Sequence, residues 1–201
     1  MLKIWKGLFY CMWMSDKPLV QQDLAARLAG LINGFQSDDA AVNFTEAFFD
    51  TMMREWPGID KLRMDKFYNL VGEVLSAIFR RLKASQWSLD LAAQFAAVLQ
   101  NGPLDVEDDS HSLGLALHLC EHLMARLVAV TTAATQAPQE TVLIMLEPVW
   151  AALATSRGRS LFDRVIDGVF EPLYSAPNHF GLDWNGWWRH ACSSKKTTIQ
   201  N

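Results

Sequence analysis

The residues His118-Leu119-Cys120-Glu121-His122 have the types and spacing of a hydrolytic metal centre. H-x-x-E-H is the inverted zincin order, in which two imidazoles on one helix face bind zinc and the carboxylate serves as base. That chemistry would make His118 and His122 metal ligands and Glu121 the general base. It also needs a third ligand and a substrate cleft. No second motif supplies either; Glu147 and Glu171 are merely available carboxylates. His111, His118 and His122 also share a helical stripe with Leu115, Ala125 and Ala129, which describes a half-polar packing face equally well. The expectation is a protein without catalytic residues, bound metal or cofactor, with a zinc-dependent hydrolase as the alternative.

The most distinctive chemistry is non-catalytic. From Arg54 to Tyr68 the chain reads Arg-Glu-Trp-Pro-Gly-Ile-Asp-Lys-Leu-Arg-Met-Asp-Lys-Phe-Tyr. Charges of alternating sign surround a tight Trp-Pro-Gly turn. One reading is a solvated corner braced by local ion pairs, each contributing a few tenths of a kcal/mol. The other is a partner-binding surface, because Arg and aromatic residues concentrate at interfaces. The candidate binding residues are Arg54, Trp56, Lys61, Arg63, Lys66 and Tyr68. Arg80, Arg81 and Lys83 complement the negative end of a helix, and that placement accounts for them. The chain has no Gly-rich phosphate loop and no paired CxxC set.

Composition narrows the classes further. Half the residues are hydrophobic and the net charge is −4, from 18 basic and 22 acidic residues. This suits a sizeable core and not an autonomous nucleic-acid binder, which needs clustered cations. Cys11, Cys120 and Cys192 are odd in number and far apart, which reads as a reducing compartment. The apolar run Gly7 to Met14 is too short to span a bilayer, and no small-residue cleavage site follows it.

The elements that must position these residues are helices. Trp5, Leu8, Phe9 and Met12 share a stripe, as do Val20, Leu24, Leu28 and Leu31, and Phe44, Ala47, Phe48 and Met52. Phe67 to Leu82 holds one face over more than four turns. Pro18 belongs to a first turn, Asn33-Gly34 to a left-handed cap, and Ser37, Asp60 and Ser88 to N-caps. Further helices follow around Leu113 to Val128, from Pro138 to about Leu153 with a kink at Pro148, and from Leu161 to Phe170. No strand-type alternation flanks the turns. The fold class is all-α: a HEAT-like array of antiparallel helix pairs at 1–33, 38–84, 88–133 and 138–172, with an irregular helical bundle as the alternative. Residues 1–174 form the helical-repeat domain. Residues 175–201 form a looser tail holding Trp184, Trp187 and Trp188. The first helix is apolar on several sides, so Ile4, Trp5, Phe9 and Trp13 are expected to form a sticky patch.

Two stretches carry a resemblance. Leu2 to Pro18, which reads Leu-Lys-Ile-Trp-Lys-Gly-Leu-Phe-Tyr-Cys-Met-Trp-Met-Ser-Asp-Lys-Pro, resembles the ribosomal RNA-processing protein 1 family, the nucleolar Nop-fifty-two proteins. Arg54 to Tyr68 resembles that family's second signature. Weaker similarity continues at Gly102-Pro103-Leu104, Leu146 to Trp150 and Leu161 to Val165, so the resemblance covers roughly residues 1–173. It implies a non-catalytic factor of large-subunit assembly in the nucleolus of the nucleus. Such a factor scaffolds pre-ribosomal particles with other assembly factors during precursor rRNA processing. It makes at most secondary rRNA contact and has no membrane role. A generic HEAT-like adaptor in another pathway is the further alternative. Family members also carry a helical stretch before the first signature and a basic extension after the array. Neither appears here, so the chain reads as a fragment or shorter form.

Overall fold

The strongest boundary signals are side chains that satisfy helix-start amides, and the structure uses them. In this computed structural model, which describes residues 1–107, 113–131, 135–156 and 158–175, Ser37 accepts from the Ala40 amide at 3.2 Å. Asp60 accepts from the amides of Leu62 and Arg63 at 3.0 and 3.1 Å, and Ser88 accepts from Leu91 at 3.4 Å. The helices are α1 (Leu2–Met14), α2 (Pro18–Gly30), α3 (Asp38–Glu55), α4 (Lys61–Ala84), α5 (Leu89–Gln100), α6 (Leu113–Val130), α7 (Gln139–Thr155), α8 (Arg159–Val165) and α9 (Glu171–Ser175). A wide π turn, Ile166–Phe170, joins the last two. Short 3₁₀ turns follow α2 (Leu31–Gly34) and α3 (Trp56–Gly58). The first replaces the left-handed cap expected at Asn33-Gly34: the chain tightens and leaves through extended Phe35.

Odd-numbered helices pack on odd and even on even. α1 lies on α3, α3 on α5 and α5 on α7; α2 lies on α4, α4 on α6, and α6 on α8 and the π turn. This is the two-layer stacking of a HEAT-like array, with the pair boundaries that the sequence predicts. One apolar core runs through it.

Central position explains α4. Phe67, Leu70, Val71, Val74, Leu75, Ile78 and Leu82 are buried, as the stripe requires. Gly72, Ser76, Ala77 and Phe79 are buried too, because α4 has neighbours on both sides within its layer. A methyl group on Gly72 would collide with the Arg126 guanidinium, which bridges from α6 to Glu73 at 2.9 Å. In α2 the buried face is Ala25, Leu28 and Ala29, whereas Val20 and Leu31 of the predicted stripe are exposed. The small side chains fit α2 closely against α4.

The turn after α4 was not foreseen. Gln86 and Trp87 both have positive φ, at 57° and 61°. The Trp87 amide donates to Leu82 O at 2.7 Å and the Gln86 amide to Lys83 O at 3.1 Å, a Schellman closure without its usual glycine. Trp87 is buried, and its carbonyl accepts from Thr141 Oγ1 on α7 at 3.1 Å, so tertiary contacts hold the left-handed pair. α6 is long and apolar enough to cross a bilayer by length and composition. Here it packs between α4 and α8, with Leu115, Leu119, Leu123 and Leu127 buried. The expected tail, with its three Trp residues, lies outside the described residues.

Candidate functional site

The α3–α4 corner divides its six candidate residues between surface and interior. Arg54 and Lys61 are exposed, and Arg54 pairs with neighbouring Glu55 at 3.0 Å. Arg63 is half-exposed; it pairs with Asp60 and sets its guanidinium 4.8 Å from the centre of the Trp13 ring, a cation–π contact. Burial alone would raise the Asp60 pKa, but Arg63 and the amides of Arg63 and Leu62 hold that carboxyl below its ordinary value.

Trp56 and Lys66 are not available to a partner, which corrects their assignment as binding residues. Trp56 is only 4% exposed and packs its ring 5.4 Å from that of Tyr68. Lys66 is 7% exposed. Its ammonium donates to Trp13 O at 2.6 Å and Ser15 O at 2.8 Å, carbonyls at the open C-terminal end of α1. A cation there satisfies acceptors that lack helical partners and complements the helix dipole. Burial and the nearby Arg63 lower the Lys66 pKa, while Asp16 and Asp60 act the other way. Tyr68 is half-buried between Trp56 and α6.

The two signature segments therefore form one structural joint. Lys66 and Arg63 reach the end of α1, and Phe67 stacks on Phe9 with centroids 4.7 Å apart. Trp5 donates its indole N–H to Phe44 O at 2.8 Å and packs against Phe44 and Phe48. The expected sticky patch changes accordingly: Trp5 and Phe9 are core, Trp13 is half-buried, and Ile4 alone of the four is exposed. What sequence reading missed is Leu62, 94% exposed at the start of α4. Met14 and Leu19 stand exposed at the neighbouring α1–α2 turn. The available signal was that Leu62 lies off the stripe that begins at Phe67.

The H-x-x-E-H residues are engaged in packing. His118 Nε2 lies 3.1 Å from Tyr68 O, and its ring lies 4.3 Å from the Tyr68 ring and 4.4 Å from that of His122. Glu121 accepts from Arg164 of α8 at 2.6 Å. Burial pushes the Cys120 thiol up to about 12, away from nucleophilic chemistry. Among the described residues no group of three or more His, Cys, Asp or Glu is placed to hold a metal ion. His111 lies outside them. These contacts count against the zinc-hydrolase alternative.

The same packing predicts a pH response. Burial, the neighbouring His122, and the charges of Arg126 and Arg164 hold His118 down to about 4, against an ordinary 6.5, and the contact with Tyr68 O opposes them only in part. The folded protein thus keeps His118 neutral where the unfolded chain protonates it. This stabilisation is complete above pH 6.5 and is lost as pH falls from 6.5 towards 4. Melting curves at pH 7 and pH 5 should show a smaller acid-induced drop for His118→Asn than for the parent. Equal drops would show that His118 carries no such linkage.

Comparison with known proteins adds the family. A family model described as nucleolar protein Nop52 matches residues 1–195, beyond residue 173 where the recognisable resemblance fades. Ribosomal RNA processing protein 1 homolog A of Mus musculus is 36% identical over 173 residues, 86% of this chain and 34% of that protein. The Homo sapiens homolog A is 35% identical over 173 residues, 86% of this chain and 37% of that protein. The Drosophila melanogaster homolog is 36% identical over 161 residues, 80% of this chain and 23% of that protein. The chain therefore spans about a quarter to a third of the length of these relatives. With both signature segments packed into one joint and the match running over nearly its whole length, the chain belongs to the Nop52 family of nucleolar proteins.

Proposed function

We propose that this chain is a non-catalytic nucleolar adaptor in ribosome biogenesis, scaffolding large-subunit precursor particles during rRNA processing. The observation that carries the reading is the use made of the family's signature residues. Trp5, Phe9, Trp56, Lys66 and Phe67 are buried and pack helix against helix. What the family shares here is thus an array, and an array acts through the surfaces it presents. The names of the relatives, ribosomal RNA processing proteins, supply the pathway. The partners are other large-subunit assembly factors, with rRNA contact secondary and no membrane. The docking surface is the outer part of the corner, Arg54, Lys61 and Arg63 around exposed Leu62.

Rapid depletion of the protein in cells should make large-subunit precursor rRNA accumulate, read by hybridisation, while small-subunit rRNA matures normally. Unchanged rRNA, or a block confined to small-subunit precursors, would refute the assignment and favour an adaptor of another pathway. Re-expression of Arg54→Glu/Lys61→Glu should leave the precursor block in place although the variant melts like the parent. Full rescue would remove the corner from consideration.

A further inference from the structure

Folding sorts charge that the composition averages. The helices of the odd-numbered layer, α1, α3, α5 and α7, hold three basic and eight acidic residues. The other layer, α2, α4, α6 and α8 with the π turn and α9, holds ten basic and seven acidic residues. In α4 alone six basic residues stand against two acidic ones. The net charge of −4 therefore hides a layer of opposite sign, and one basic face is the electrostatic footprint of a polyanion-binding surface.

The seam between α4 and α6 gathers much of this charge, in the middle of the array and away from both ends of the chain. Tyr68 and His118 meet across it with ring centroids 4.3 Å apart, and the His122 ring lies 4.4 Å from that of His118. One turn further along α6, Arg126 crosses to Glu73 at 2.9 Å and Ser76 at 3.4 Å. Arg80 approaches the same Glu73 carboxylate at only 3.7 Å, and its side chain is 46% exposed. Two guanidiniums thus share one carboxylate, which leaves the group net positive. Each guanidinium has five N–H donors. The Lys83 ammonium, which donates to Val130 O at 2.8 Å at the far end of the seam, has three, so donors remain for a ligand. From Tyr68 to Lys83 the row follows roughly 22 Å of helix, room for several successive phosphates. The large apolar side chains exposed on α4 and α6, Leu62 and Leu113, both lie before it. An acidic peptide would therefore lack the apolar anchors from which peptide docking draws its energy, whereas a phosphate backbone needs only cations.

We propose that the α4–α6 seam binds the phosphate backbone of single-stranded RNA. Arg80, Arg126 and Lys83 are the phosphate contacts, and half-exposed His122 is a hydrogen-bond partner for a base. Bases reach imidazole and guanidinium groups when they are unstacked, which selects a single strand over a duplex. The seam is a site separate from the corner at Leu62, and the inference rests on the adaptor reading only for the presence of RNA near the protein.

The test uses the full chain and a fluorescent single-stranded RNA, read by anisotropy. An unlabelled Leu/Glu peptide and an RNA duplex serve as competitors. Saturable binding is expected, falling steeply as salt rises and weakened about tenfold or more in Arg80→Gln/Arg126→Gln. Lys3→Gln/Lys6→Gln removes the same charge from α1 and should change affinity less than about twofold. Arg126 also braces α6 on α4, so a further variant separates binding from folding. Glu73→Gln keeps a hydrogen-bond acceptor for Arg126 and removes the shared negative charge, and it should tighten RNA binding about threefold or more. A purely structural cluster cannot produce that gain. Absence of saturable RNA binding, equal weakening by both double variants, no gain in Glu73→Gln, or stronger competition by the acidic peptide or the duplex than by unlabelled single strand would overturn the proposal. Because the assay contains no ribosomal particle or assembly factor, failure of the adaptor reading would leave its result unchanged.

Discussion

Replacing Lys66 with Glu should destabilise the protein by about 3–5 kcal/mol, because it sets a carboxylate against two carbonyl oxygens in a buried site. The ammonium now donates to Trp13 O and Ser15 O and closes the end of α1. Lys66→Met separates charge from packing. It keeps most of the aliphatic stem and loses both hydrogen bonds, for an expected cost of about 2 kcal/mol. Thermal or urea unfolding should rank parent above Lys66→Met above Lys66→Glu. Reversal at exposed Lys61 should change stability by less than about 0.5 kcal/mol. If Lys66→Glu melts like the parent, the tie between α1 and α4 does not hold the first two helix pairs together.

An effect of similar size is expected for Trp5→Ala, about 3–5 kcal/mol. The indole is 1% exposed, packs against Phe44 and Phe48, and donates to Phe44 O. Its removal takes away both an aromatic contact between α1 and α3 and the hydrogen bond that orients it. For a domain of this size the melting temperature should fall by on the order of 10 °C. Trp5→Phe fills part of the space without the N–H and should lose less than half as much. Equal losses for Ala and Phe would point to the hydrogen bond, and no loss would mean that α1 does not contribute to the folded core.

These two residues also show what could be read from sequence. Helix positions and pairing were legible because their signals are local: Pro18 in a first turn, Ser37, Asp60 and Ser88 at starts, and a stripe from Phe67 to Leu82. The role of Lys66 was not legible, because the carbonyls it satisfies belong to a turn more than 50 residues earlier. A charge beside Asp60 and Arg63 reads as solvated until the fold brings α1 against it. Trp56 misled for the related reason that an aromatic residue in a charged turn looks exposed, whereas its ring turns inward to Tyr68. The surroundings of the H-x-x-E-H match were hidden in the same way. Its residues face helix neighbours, Tyr68 O for His118 and Arg164 for Glu121, which spacing along α6 cannot reveal. The inward face of α2 was obscured because Ala25 and Ala29 approach α4, while the larger Val20 and Leu31 remain outside.

The adaptor reading accommodates His118 and Glu121 engaged in packing while Leu62, Met14 and Leu19 stand uncovered near the α3–α4 corner. Apolar groups so exposed, with Arg54, Lys61 and Arg63 near Leu62, suit association with a large assembly. The most direct test is gradient sedimentation of the tagged chain from cell extract, with precursor rRNA probed in every fraction. The account predicts that the chain co-migrates with large-subunit precursor rRNA and persists there after a salt wash that strips electrostatically held proteins. A chain that stays at the top of the gradient, or that follows only small-subunit precursors, would contradict it.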